Sequence, residues 1–255
     1  MNKHNWIFLL TTLTFATLIG CTKDDENNNE QQAITFGNAV ALGDDSIRSY
    51  IITDVSGQPT EMGLQLGESA LNNLPTDTSG GIREFSYPIP VPPNIAGMGV
   101  DHIEVDWNPY GHDPVGIYTV PHFDFHFYYV DEATQGSVTP GIDTAAVDPQ
   151  YVPQDYVSGV VAVPNMGVHF IDTTSAEFHG VPFTSTFIYG FYHGNFMFLE
   201  PMVTKAFFES HPDFTAPVKQ PQAFQIPGYY PTSYAVKYDA ENHVYRIALT
   251  ELTKH

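Results

Sequence analysis

The densest concentration of chemistry-bearing side chains lies between Gly111 and Tyr128. It runs Gly-His-Asp-Pro at 111–114 and then Pro-His-Phe-Asp-Phe-His-Phe-Tyr at 121–128. Read as a strand, successive side chains alternate, so His122, Asp124, His126 and Tyr128 share one face. Phe123, Phe125, Phe127 and Tyr129 share the other, and such a ring face belongs in a core. The polar face must then look at solvent or line a polar cavity. Imidazole nitrogens and a carboxylate are the donors that hold a divalent metal such as zinc, with bonds of about 2.0–2.2 Å. Spacing restricts the possibilities. Residues two apart on a strand are about 6.6 Å apart and residues four apart about 13 Å, so His122 and His126 cannot easily share one ion. Asp124 with one flanking histidine forms the ligating pair, and the remaining histidine orients it by a hydrogen bond. Further ligands must come from other segments. His169 and Glu200 are the leading candidates, with His112 and His179 as alternates. Glu200 follows an apolar strand, an expensive place for an unpaired carboxylate; Lys205 offers it an ion pair instead of a metal. The same histidines also admit a reading without metal, as satisfied groups among aromatic neighbours.

The elements that position these residues are mostly strands. Alternation and turn residues predict strands over 48–55 and 61–66, joined across Ser56-Gly57-Gln58-Pro59. Residues 100–107 alternate His102, Glu104 and Asp106 against Ile103, Val105 and Trp107. Further strands are expected over 118–130, 157–163 and 167–171. A hairpin pairs 184–192 with 196–200 across His193-Gly194-Asn195, and a last one pairs 233–238 with 244–249. Pro88, Pro90, Pro92 and Pro93 mark an edge-like stretch. Short helices are expected over 68–74 and 203–210, and a loop over 135–148. The expectation is an all-β chain: one sandwich or barrel-like domain over 34–255, with one or two short helices.

Composition agrees with this. The 20 glycines and 20 prolines favour short strands and turns over long helices. A formal net charge of −20 excludes nucleic acid as a partner and is compatible with binding cations. Residues 1–21 read as a lipoprotein signal peptide. Lys3 and His4 precede an apolar run too short to span a bilayer, which ends Leu18-Ile19-Gly20-Cys21. Cys21 is the only cysteine, so the expectation is that it is lipidated and that no disulfide staples the domain. Residues 22–33, with Lys23-Asp24-Asp25-Glu26, read as an acidic tether. The expected location is therefore exported, lipid-anchored at the outer membrane or cell surface.

The strings Asp-Trp-Asn-Pro-Tyr-Gly-His at 106–112 and Pro-His-Phe-Asp-Phe-His-Phe-Tyr at 121–128 resemble a family of exported bacterial β-rich proteins of unknown function. The likeness extends to Met166–His169, Phe187–Gly190, 198–204 and the hairpin over 234–249. It implies a secreted or lipid-anchored β domain and brings no reaction with it. Three functional readings stand at this point. The first is an envelope protein whose His/Asp-lined pocket binds one divalent metal, zinc or similar. The second is a metal-dependent enzyme using that pocket. The third is a structural or ligand-binding module without metal, for carbohydrate or as a homo-oligomer.

Overall fold

Alternating apolar and polar residues become strands because each strand can bury one face against a second sheet. The computed structural model describes residues 32–81, 83–93 and 97–255; the signal peptide, Cys21 and nearly all of the tether lie outside them. The strands of the described residues are, in chain order, β1 (Ala33–Phe36), β2 (Val40–Leu42), β3 (Asp45–Thr53), β4 (Pro59–Gly67), β5 (Phe85–Ile89), β6 (His102–Asn108), β7 (His122–Tyr128), β8 (Gly141–Ile142), β9 (Tyr156–Ser158), β10 (Val161–Ala162), β11 (Val168–Asp172), β12 (Ser185–Tyr192), β13 (Asn195–Thr204), β14 (Asp213–Pro217), β15 (Tyr229–Asp239) and β16 (Val244–Lys254). Two short helices, α1 (Glu132–Gly136) and α2 (Lys205–Glu209), accompany them.

The first sheet has the order β1-β3-β4-β16-β15-β14, with β2 also paired to β3. The second runs β5-β6-β7-β13-β12-β11-β9, and β8 and β10 form a separate ribbon. Both large sheets have free ends, so the domain is a sandwich and not a closed barrel. Residues Gln31–His255 form one compact unit. Phe123, Phe125 and Phe127 of β7 share a single core with Ile47, Leu64, Leu66, Val236 and Ile247 of the first sheet. The expected ring face is thus the inner face of the second sheet. The outer face of that sheet is covered by loops, through two smaller clusters. One holds Tyr118, Phe183, Ile188 and Met202, the other Tyr128, Val138, Met166 and Phe198.

Several boundaries differ from the sequence expectation. β7 begins at His122, leaving Tyr118 in the preceding loop. β13 does not stop at Glu200 but continues through Pro201 to Thr204. A proline is tolerated in this central strand because the pairing with β7 has no partner at Glu200 or Pro201, between Leu199↔Phe127 and Met202↔Asp124. The helix expected over 203–210 shrinks to α2, capped by Thr204, whose hydroxyl accepts from the Phe207 amide. The stretch 135–148 is not wholly a loop, since it takes in the end of α1 and all of β8. A five-residue helix shows too little periodicity to be read from sequence.

Candidate metal centre

The polar face of β7 is completely enclosed: His122 and His126 are 0 % exposed and Asp124 is 3 %. Neighbouring strands set what meets it. On β6, Asn108 lies opposite His122, Asp106 opposite Asp124 and Glu104 opposite His126. On the far side, β13 brings Glu200, and Ile188 of β12 pairs with it. His169 on β11 lies opposite Gly190 of β12.

Two groups of three potential ligands result: His112, His122 and Asp124, and His126, His169 and Glu200. Within each, the donor atoms lie within 4.8 Å of one another. In the outer trio, His122 Nε2 is 3.2 Å from Asp124 Oδ1 and His112 Nε2 is 3.3 Å from Asp124 Oδ2. In the inner trio, Glu200 is 3.6 Å from His126 Nε2 and 3.4 Å from His169 Nε2. Donors bonded to one ion at about 2.0–2.2 Å in tetrahedral geometry stand roughly 3.4 Å apart. His122 and His126 do not share a position, as strand geometry requires. The expectation of one centre with a spare histidine gives way to two trios, because Glu200 and His169 arrive beside His126 rather than beside Asp124.

The orientation of these atoms is as informative as their distance. Nine buried side-chain atoms of the described residues have no hydrogen-bond partner, and seven belong here. They are both oxygens of Asp106, His122 Nε2, Asp124 Oδ1, both ring nitrogens of His126, and Glu200 Oε2. Each such atom costs about 1–3 kcal/mol, more when charged, unless something else satisfies it. Close approach without hydrogen-bond alignment is the arrangement of lone pairs facing a common point. Outside the trios, the supporting bonds are in place. His122 Nδ1 donates to the Val120 carbonyl and His112 Nδ1 to the Asp113 carbonyl, both at 2.7 Å. At His122 this bond puts the ring proton on Nδ1 and leaves Nε2 as a lone-pair donor toward the trio, whereas His112 Nε2 also donates to Asp124 Oδ2 at 3.3 Å and becomes such a donor once an ion replaces that proton. Asn108 donates to Asp124 Oδ2 at 2.8 Å. Gly111, at φ +67°, lets the loop close over His112, since a Cβ there would lie 2.0 Å from the Tyr118 carbonyl.

The electrostatics reflect buried opposite charges. Burial opposes a charged imidazole at His126, but Glu200 and Asp106 outweigh it and raise its pKa to about 10. Burial likewise opposes charge on His112, and Asp124 overcomes it, raising the pKa to about 9. Burial depresses His169 to about 3, aided by His126. Burial pushes Glu200 up to about 8 against the pull of His126. Burial also opposes ionisation of Asp124, yet His122 and His112 hold it well below the usual carboxylate range. In the metal-free site, protons supply the positive charge that the carboxylates demand.

Of the residues proposed from sequence, His122, Asp124, His126, His169, Glu200 and His112 come together in these trios. His179 does not: it ends a short 3-10 turn on the surface and bonds the Thr173 carbonyl. Lys205 pairs with Glu209 one helical turn away, not with Glu200. Asp106 and Asn108 were missed. Their alternation on β6 was legible, but their relation to the site depends on the β6–β7 register. Glu84 and Glu104 also crowd this face; burial and then the Asp106 charge raise both.

No family model, curated protein or solved structure matches the chain.

Proposed function

We propose that this is a divalent-metal-binding domain of an exported, lipid-anchored envelope protein, with two 2-His-1-carboxylate positions on the outer face of one sheet. The observation that carries the metal reading is the set of seven buried, unpartnered nitrogen and oxygen atoms concentrated on that face. Imidazole and carboxylate donors suit zinc and neighbouring transition metals. The test is metal content. The full-length protein, purified in detergent and exposed to zinc, should hold up to two ions per chain by native mass spectrometry. Glu200→Ala and Asp124→Ala should each remove one. A wild-type protein that takes up no divalent metal under these conditions defeats the reading.

A second reading, a metal-dependent enzyme, is favoured by one feature. Each trio offers three protein ligands, the number found in catalytic zinc sites, and His112 is 40 % exposed at its side chain. A metal held this way polarises an oxygen or acidifies a bound water. The envelope assignment is supported by the charged leader and by Cys21 at the end of its apolar run.

A further inference from the structure

We propose that the two trios are unequal by construction: the inner one holds a resident ion, steadied by Asp106, and the outer one, closed by His112, holds an exchangeable ion open to a small oxygen-donor ligand. This rests on the metal reading above and assigns different work to its two positions.

The inner trio is supplied entirely by strands. His126 comes from β7, Glu200 from β13 and His169 from β11, and their side chains are 0 %, 1 % and 23 % exposed. Asp106 belongs to it as a supporting group. It is 0 % exposed, neither oxygen has a hydrogen-bond partner, and Oδ2 lies 3.1 Å from His126 Nδ1. The outer histidines each give Nδ1 to a backbone carbonyl and turn Nε2 to the trio. At His126 the group beside Nδ1 is a carboxylate, and Nε2 again faces the trio. The 3.1 Å contact lies outside hydrogen-bond alignment. A carboxylate behind a ligating imidazole raises its basicity and fixes its tautomer. It also changes the charge. Two histidines, Glu200 and a divalent ion leave +1, which Asp106 cancels.

The outer trio lacks both advantages. His112 sits on the loop between β6 and β7, and its side chain is 40 % exposed, against 0 % for His122 and 5 % for Asp124. Asn108, the group behind Asp124, is neutral. This position has no carboxylate behind its ligands, and its one loop ligand is also its contact with solvent. Water or a small oxygen donor would complete the coordination there.

The experiment is chelator competition on zinc-loaded full-length protein in detergent. The expected wild-type result is withdrawal of two ions in two phases. His112→Ala should abolish the fast phase and leave the slow one. Asp106→Asn, which keeps the shape and removes the charge, should weaken the slow site 10–100-fold, the usual effect of losing such a supporting group, and leave the fast site unchanged. Near-UV circular dichroism confirms folding of each variant, and His112→Ala, on a loop, carries the test if Asp106→Asn does not fold. Loss of the slow phase in His112→Ala, a single phase for two bound ions, or an unchanged slow site in a folded Asp106→Asn protein would each overturn the proposal. A wild-type protein without zinc overturns the metal reading beneath it, which is a different result.

Discussion

Asp124 divides its two oxygens between different partners. Oδ2 accepts from Asn108 and from His112 Nε2, while Oδ1 faces His122 Nε2 without a hydrogen bond. Its neighbours would make metal binding pH-dependent. A ligating imidazole must be neutral, so an ion has to displace the protons that carboxylates hold on His112 and His126, at pKa values raised to about 9 and about 10. Apparent zinc affinity should therefore rise with pH through the neutral range and flatten near pH 9–10, with proton release visible in unbuffered titration. A pH-independent affinity between 6 and 9 would contradict these protonation states. The sign for stability is opposite. A histidine with a raised folded pKa contributes stability that is fully present below its unfolded value of about 6.5 and lost as pH rises through the folded value. The metal-free protein should accordingly lose stability between about pH 6.5 and 10, an effect that thermal melts of the zinc-loaded protein should not share. His169, depressed to about 3, acts in a separate window: it costs stability as pH falls below about 6.5.

Among the elements, the β12–β13 hairpin places the inner trio through a glycine. A Cβ on Gly190 would lie 2.2 Å from the Phe198 ring, so only glycine leaves that ring its place. Phe198 packs edge-on against His126 at 4.8 Å between ring centres and against His169 at 5.3 Å. Gly190→Ala should therefore cost about 1–3 kcal/mol of stability, as overpacking does, and weaken the inner site more than the outer one. Equal zinc affinity at the inner site in this variant would show that Phe198 does not position the two rings. On the other side of β13, the break in pairing at Glu200 and Pro201 frees the seam beside His126, where the carboxylate must turn outward.

At the scale of the whole molecule, an ion in the inner trio would tie β7, β13 and β11 together across four neighbouring strands of one sheet. Ligand binding to the folded state alone stabilises by about 2.7 kcal/mol at a hundred times the dissociation constant. For a domain of this size that corresponds to roughly 5–10 °C in melting temperature. Chelation should lower the melting temperature by that order, and a melt indifferent to chelator would argue against a site that forms only on folding. The anchor is a separate matter. If Cys21 is lipidated, Cys21→Ser should release the protein from the membrane or stall its processing. Normal processing with retention after a carbonate wash would defeat that assignment.

The alternation of rings and polar groups over 122–128 was by itself enough to predict a strand, its core face and its polar face, because side chains on a strand can only alternate. The same arithmetic kept His122 and His126 from sharing an ion. Turn residues and the shortage of long apolar helical periods were enough for an all-β sandwich or barrel. The choice between those two, and the partners of each histidine, were decided only by tertiary structure. Asp106 and Asn108 reach the site through strand pairing, which a local pattern does not encode. Glu200 joins His126 because β13 runs on through Pro201, a residue whose missing N–H looks from sequence like a stop. His179 and His112 look alike in a sequence, each a histidine in a loop-like segment. The fold turns His112 toward Asp124, while the loop of His179 covers the same face with Phe178 and Phe183 and leaves the histidine on the surface, bonded to the Thr173 carbonyl.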